Sequence, residues 1–488
     1  MTSSMLHAVR PLFPVFNLWA GLRPFLRRGV VAVTLLLLPA TALSEEGGPL
    51  PQKIQPLSLE EIVRMGLEAS PKLWEQRSVI DRAEAQLGQA RAGRLPRMDY
   101  LQILSLVPEA KGNAVFSPSS RSDLLNNLGP FTRLELNVSQ PLYTFGKLKA
   151  HIEAAEKGLE AKTASLARFE SELITTLKEL YYLIQLNEDL YRLVADTEKE
   201  LGKAVRKAEE LLEEDPGKLT QQDILKLRYG YNRAAGKRLE IDKARRLIHG
   251  ALRSLLYFPA GEDFELTEKR LKPVNVALDG LETYKKLAVL RRPEWKELQA
   301  GIEAKEAELL AQKRQYYPDI FASGILLYAT APNRDRQENP FVLEEFNTFW
   351  GGAYLGWRMA LDFGMPKKVA EKRAELLALQ HQQREASTGM LLQVEKAYRD
   401  VVEKQKSLQF AREARRNGRA LSVLSAASFY LGLGEAKDVF EAFQMYTEGA
   451  AEYYLAIKDF NMAVAELARV TGERFLDSGG PEEHRQDG

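Results

Sequence analysis

The chain has 488 residues, 68 of them Lys or Arg and 67 Asp or Glu, for a formal charge of +1. A balance this even gives no bulk electrostatic case for nucleic-acid binding, and 45% hydrophobic with 28% charged residues argues for a folded chain over a disordered one. Cysteine is absent, which excludes disulfide scaffolds, thiol catalysis, cysteine-ligated metals and a lipidated N-terminal cysteine, and the five histidines (His7, His151, His249, His381, His484) stand too far apart for metal-ligand spacing.

Residues 1–44 carry four arginines (Arg10, Arg23, Arg27, Arg28) and no acid. Val30 to Leu38 is an apolar run too short to span a bilayer as a helix, and Ala40-Thr41-Ala42 and Ala42-Leu43-Ser44 both fit a cleavage site. The segment predicts a secretory signal peptide, with a short membrane anchor as the alternative; the long n-region also allows a start at Met5. Its removal leaves 64 basic against 67 acidic residues in an exported chain. No later stretch offers 18 uncharged apolar residues, so any membrane crossing falls to β-strands.

Two halves of the remaining chain follow one plan. Pro71 to Pro96 aligns without a gap to Pro293 to Pro318, with Glu75/Glu297, Ile80/Ile302, Glu84/Glu306, Ala85/Ala307 and Leu87/Leu309 identical. Phe145-Gly146 then matches Phe363-Gly364, and Gly217 with Asp223-Ile224 matches Gly432 with Asp438-Val439. A period of about 200 residues is too long for a solenoid and predicts a duplicated domain. The expected boundaries are a signal peptide 1–44, a first repeat 45–258, an equatorial linker 259–292, a second repeat 293–475 and a disordered polar tail 476–488.

Each half opens with a helix (about 71–94 and 293–316) that a proline ends. A β-rich region follows (about 97–142 and 319–361). Leu134, Leu136 and Val138 alternate with Glu135, Asn137 and Ser139, the period-two pattern of a barrel wall; a soluble hairpin domain is the alternative. Near 348–361 the aromatics Phe349, Trp350, Tyr354 and Trp357 have no clean parity, so their facing stays open. A very long helix comes next. From Ile152, steps of seven give Leu159, Leu166, Leu173, Leu180, Asn187, Val194, Leu201 and Ala208, a coiled-coil seam with one polar position. About 65 residues at 1.5 Å each reach roughly 100 Å. Asp215-Pro216-Gly217 breaks it, and a return helix runs over about 219–257. The second half repeats this, outward over about 366–430, turning at Leu431-Gly432-Leu433-Gly434 and returning over about 436–472 on the seam Val439, Phe443, Tyr446, Ala450, Tyr453, Ile457, Phe460, Val464, Leu467.

Four strands per chain cannot close a membrane barrel, whose smallest bacterial form has eight, and an open edge is not tolerated in lipid. Several copies must share one barrel. Three chains in a cyclic arrangement give about twelve strands, an even count, and the helices must project from the membrane as a conduit.

The motifs are similar to those of the TolC-like outer-membrane efflux proteins, over about 57–475. Ser58-Leu59-Glu60-Glu61-Ile62 with Ala69-Ser70-Pro71 resembles that family's opening helix, and Arg291-Arg292-Pro293-Glu294 its second-repeat counterpart. Gln140-Pro141-Leu142-Tyr143-Thr144-Phe145-Gly146-Lys147 and Leu361-Asp362-Phe363-Gly364 resemble the two barrel-to-helix junctions, marked by Pro141, Gly146 and Gly364. Leu255-Leu256-Tyr257-Phe258-Pro259 resembles the close of the first hairpin. The resemblance implies a homotrimer, mainly α with a membrane β-barrel: twelve strands continued by a 12-helix periplasmic α-barrel, two structural repeats per chain. It implies an exit duct in the cell outer membrane, in contact with its lipid, serving a tripartite efflux or type I secretion system through a periplasmic adaptor (membrane fusion) protein and an inner-membrane pump.

Matching tip to tip with that family places Gly217, Gly432 and Gly434 at the tight turns and adaptor-docking ends, and Asp438 and Glu441 where carboxylates line the aperture. Threefold symmetry would make them an acidic ring that favours cations. Asp438 equally suits the first turn of a helix, and Thr220-x-x-Asp223 fits a capping box, the reading favoured for Asp223 over the aperture. Where some members tether the closed mouth through an arginine and a tyrosine, this chain has Gly434 and Phe429, with Tyr430 adjacent. A periplasmic coiled-coil adaptor or scaffold is the alternative; two hairpins and two β-inserts in duplicate count against it. Gly432-x-Gly434 lacks the preceding strand and third glycine of a dinucleotide loop. No catalytic, cofactor-binding or metal residues are expected, and no cofactor.

Overall fold

A computed structural model describes residues 53–112, 121–122, 127–214, 220–259, 262–336 and 343–473, all within the unit Gln52–Gly488. The expected signal peptide, the break at Asp215-Pro216-Gly217 and the polar tail lie outside the described residues. The chain begins with β1 (Lys53–Leu57), α1 (Leu59–Ala69) and α2 (Pro71–Ala92), then forms β2 (Arg97–Val107) and β3 (Gly129–Tyr143). The long α3 (Lys147–Glu214) and its return α4 (Gln221–Leu255) follow. After β4 (Glu262–Leu266) and α5 (Leu281–Arg291) come α6 (Pro293–Arg314), β5 (Asp319–Thr330), β6 (Thr348–Arg358), α7 (Met365–Tyr430) and α8 (Ala436–Thr471). Helix, strand pair, long helix and shorter helix thus occur twice in order, with helices of 22, 68 and 35 residues and then 22, 66 and 36.

Local chemistry accounts for the starts. Ser58 caps α1 reciprocally: its backbone N–H donates to Glu61 at 2.7 Å, and the Glu61 N–H donates to Ser58 Oγ at 3.3 Å. Pro71 and Pro293 open α2 and α6, where the missing N–H costs nothing. The predicted seams are the packed ones. Along α8, Val439, Phe443, Ala450, Ile457, Phe460, Val464 and Leu467 are all buried. The main core gathers Leu177, Tyr181, Leu190 and Leu193 of α3 with Val394 and Val401 of α7 and the upper part of α8. A second cluster near the hairpin ends joins Leu201, Ala208, Ile224, Leu227, Phe429, Val439 and Phe443. The polar seam position, Asn187, spends its amide on the Leu183 carbonyl of its own helix at 2.8 Å.

β2, β3, β5 and β6 form one antiparallel sheet in that order, so the edges β2 and β6 have no strand partner among the described residues. The four expected strands are therefore four neighbours in a single sheet. β1 pairs with β4 in parallel, bringing the first described strand beside the segment that follows the first hairpin.

Between β4 and α5 a stretch without helix or strand lies across α3 and α8, held by buried side chains. Gln185 Nε2 donates to the Glu268 carbonyl at 2.7 Å and the Tyr181 hydroxyl to the Glu268 carboxylate. Asp189, 1% exposed, accepts from the Leu271 N–H at 2.9 Å and pairs with Arg270 at 2.9 Å and Arg192 at 3.2 Å. Asn461, fully buried, accepts from the Val274 N–H at 3.0 Å and donates to the Lys272 carbonyl at 2.8 Å. Each partner would otherwise be a desolvated polar group. Asp189→Ala should therefore lower unfolding stability by about 3 kcal/mol, and Asp189→Asn, which keeps an acceptor for Leu271, by clearly less. Denaturant titration of the purified chain checks the order; equal loss in both variants would show that charge alone matters there.

Candidate functional site

Pairing register assigns every strand residue to one of two faces. The first face holds Met98, Tyr100, Leu104 and Leu106 of β2, Leu134, Leu136 and Val138 of β3, Leu326 and Tyr328 of β5, and Phe349, Leu355 and Trp357 of β6. The second holds Arg97 and Asp99, Arg133 and Glu135, Asp319, and Arg358. All six charged residues of the four strands thus share one face, and the other has none. The uncharged face is open: Met98 is 67% exposed, Leu104 71%, Leu355 75% and Trp357 70%. An uncharged apolar face opposite a charged one, on strands of 11 to 15 residues, matches a membrane-barrel wall with its two solvents. The parity of β6 is thereby resolved: Phe349 and Trp357 belong to the apolar face, Trp350 and Tyr354 to the charged one.

Two junctions connect this sheet to the long helices, and they differ. At the first, the β3–β5 register slips between Pro141 and Tyr143, a bulge where Pro141 has no N–H to give a ladder. Phe145 (φ 48°) and Gly146 (φ 80°) then turn the chain through two consecutive left-handed residues. Arg314 Nη1 anchors the Phe145 carbonyl at 2.9 Å, Phe145 stacks on Tyr317 at 5.6 Å, and Lys147 pairs with Asp319 at 2.8 Å. At the second, Gly364 is right-handed (φ −77°) and Asp362 does the turning, accepting from the Gly364 N–H at 2.7 Å and pairing with Lys368 at 2.8 Å. Phe363, the sequence partner of Phe145, is fully exposed. The duplicated Phe-Gly signature marks the same place in the chain but a different turn.

At the second hairpin end, α7 closes in a Schellman arrangement: Gly432 N–H bonds to the Phe429 carbonyl and Leu433 N–H to the Ser428 carbonyl, both at 2.9 Å. Gly432 takes φ 73° with open space around it, so its requirement is conformational. Gly434 is needed for room, since a Cβ there would sit 3.0 Å from the Phe429 nitrogen. Gly217 lies outside the described residues. Asp438 and Glu441 are exposed and about one turn apart at the start of α8, and Glu441 lies 3.6 Å from Lys437. Asp223 occupies the corresponding turn of α4 and accepts from both the Thr220 N–H (3.2 Å) and its hydroxyl (2.6 Å), which holds the carboxyl below its ordinary value. Among the described residues no hydrogen bond or ion pair joins Asp223 to Asp438 or Glu441. Phe429 is buried in the end cluster and Tyr430 is partly exposed. Among the described residues no group of three or more His, Cys, Asp or Glu is placed to hold a metal, and no helix is long and apolar enough to cross a membrane.

The described fold is that of outer-membrane channels. It matches the outer-membrane channel OprN (TM-score 0.69, 15% identity, 85% of this chain and 89% of that one). It matches the CmeC outer membrane channel of Campylobacter jejuni (TM-score 0.69, 14% identity, 85% of each chain). The outer membrane protein VceC of Vibrio cholerae is similar to the same degree (TM-score 0.68, 15% identity, 85% and 96%). Residues 62–226 match the family model described as outer membrane efflux protein, so the TolC-like resemblance read from the motifs stands, in sequence over that segment and in fold over most of the chain. No curated protein matches the chain in sequence. Proteins of that family are channels, not enzymes.

The Asp223 cap carries a pH signature. A depressed folded-state pKa contributes stability that is complete above the ordinary aspartate value near 4 and is lost as pH falls through the lower folded value. Thr220→Val or Asp223→Ala should cost the first turn of α4 about 1 kcal/mol, read as faster amide exchange at 221–224, and Asp223→Ala should abolish its acid dependence. An unchanged acid profile in that variant would assign the dependence to another carboxylate.

Proposed function

We propose that the chain is the passive exit duct of a tripartite efflux or type I secretion system, a homotrimer spanning the outer membrane and reaching through the periplasm. One observation carries this reading: an antiparallel sheet with two free edges, an exposed apolar face and every strand charge on the opposite face. Strand directions alternate across it, so β6 of one copy meets β2 of the next antiparallel, and three copies close twelve strands with no edge left. The apolar face then meets lipid and the charged face an aqueous lumen. In water that apolar face would forgo on the order of 1–2 kcal/mol per large side chain, together comparable to the net stability of a domain. A soluble coiled-coil scaffold has no use for such a face.

In this reading residues 1–44 are a signal for export, 45–258 and 293–475 are the two repeats, and 259–292 links them at the equator. The two hairpins of each copy make a 12-helix tube roughly 100 Å long. Gly217, Gly432 and Gly434 end its columns, where a periplasmic adaptor bound to an inner-membrane pump would dock. Asp438 and Glu441 ring the mouth. Asp223 stands near it and serves chiefly as a helix cap. Phe429 and Gly434 supply no polar tether, so closure there relies on the apolar end cluster.

Extraction and reconstitution test the whole. The mature protein should require detergent, run as a trimer and conduct ions in planar bilayers; a water-soluble monomer would sink the proposal. Asp438→Asn with Glu441→Gln should lower cation preference, seen as a reversal-potential shift toward zero in a salt gradient. Unchanged selectivity would remove these carboxylates from the aperture while leaving the duct intact.

A further inference from the structure

The charged face of the sheet is not uniform. On β2 and β3 its charges are neutralised within the chain: Arg97 pairs with Asp99 at 3.2 Å and Arg133 with Glu135 at 3.2 Å. Asp319, at the start of β5, pairs with Lys147 at 2.8 Å. The other half is aromatic. A Cβ at Gly356 would sit 2.9 Å from the Phe321 ring, and one at Gly352 would sit 3.4 Å from the Trp350 ring, so each ring lies over a glycine. Tyr354 meets Phe321 edge-on at 6.2 Å and is half exposed, as is Trp350. Arg358 lies over the Phe321 ring at 5.7 Å, and among the described residues no carboxylate comes within ion-pair distance of it.

We propose that Tyr354, Phe321 and Arg358 form a transit-binding strip for planar aromatic anions at the helix-side end of the barrel lumen, with Trp350 farther along the same face toward the loops. This rests on the duct reading. Tyr354 and Phe321 offer adjoining π surfaces because the glycine beneath Phe321 removes a competing side chain, and an aromatic solute stacks there by offset or edge contacts. A guanidinium resting on Phe321 keeps its edge donors available for a carboxylate or sulfonate, which they bind in a fork geometry. Its cross-strand neighbour Asp319 is held by Lys147, so the guanidinium is left without an ion pair among the described residues and the strip favours anionic over cationic rings. In the closed barrel the next strand is β2 of a neighbouring copy, whose Arg97–Asp99 pair is already internally neutral. Each contact is weak, as a lumen must be if cargo is to leave it.

Current blockade in planar bilayers by solutes added on the barrel side tests the strip. The probes are 2-naphthalenesulfonate, cyclohexanesulfonate and 2-naphthyltrimethylammonium. The first should block at a concentration about tenfold below the other two. Tyr354→Leu should erase most of the ring preference, Tyr354→Phe should retain it within about twofold, Trp350→Leu should change it less, and Arg358→Gln should erase the preference for the anion. Trimer retention in detergent confirms that each variant folds. Equal blockade by all three probes, or a ring preference unchanged in Tyr354→Leu, would overturn the strip while leaving the duct. Absence of any current from the unaltered protein would overturn the duct and the strip with it.

Discussion

Backbone groups at the edge of a sheet need partners, and a hydrocarbon solvent supplies none. Among the described residues the β2–β3–β5–β6 sheet has two such edges, and one of its faces is apolar and exposed. Most of the remaining design follows from that pair of facts. In the proposed duct one copy offers too few strands to close a barrel, so strand number imposes association. Such an association would also set how the helices descending from the sheet are arranged, because each long helix leaves a strand end within a few residues. The two junctions meet this demand by different means, a left-handed pair at Phe145-Gly146 and an aspartate-anchored turn at Gly364. Identical motifs need not fold identically when only their position in the plan is shared.

The helical part is stabilised by a different solvent logic. Apolar seams on α3 and α8 make a long but thin core, and a thin core leaves the middle of the chain needing polar cross-ties. Gln185, Asp189 and Asn461 provide these by satisfying the backbone of the stretch between β4 and α5. The end cluster around Phe429, Val439 and Phe443 does the corresponding work at the tips with apolar side chains alone.

Much of this was legible from residues. The seven-residue seam from Ile152 marked α3 to within a few residues, the helix-ending prolines marked the sheet, and the alternation at Leu134 to Ser139 marked a two-faced strand. What escaped did so for physical reasons. The facing of Phe349, Trp350, Tyr354 and Trp357 depends on cross-strand register, which glycine-rich β6 does not reveal because Gly351, Gly352 and Gly356 break the apolar–polar alternation. The aromatics of the charged face were thus invisible until pairing gave them a side. Asp189 and Asn461 lie among helix-compatible residues and point at a segment distant in sequence, so no local pattern announces them. Thr220 and Asp223 are the opposite case: the spacing alone indicated the cap, because both partners sit three residues apart.

The division of the helices has a mechanical consequence. α3 and α7, of 68 and 66 residues, run without interruption from the sheet junctions to the hairpin ends. Their companions are split. Toward the sheet, α3 is flanked by α2 and α6 through Arg91–Glu156 and Arg168–Glu297, and α7 by α6 through Lys372–Glu308. Toward the tips, α4 and α8 take over. A twist applied at the tips can therefore be absorbed at these breaks by relative sliding of separate rods, without rupture of any intrahelical bond. Only the two long rods join hairpin end to sheet junction within a single helix.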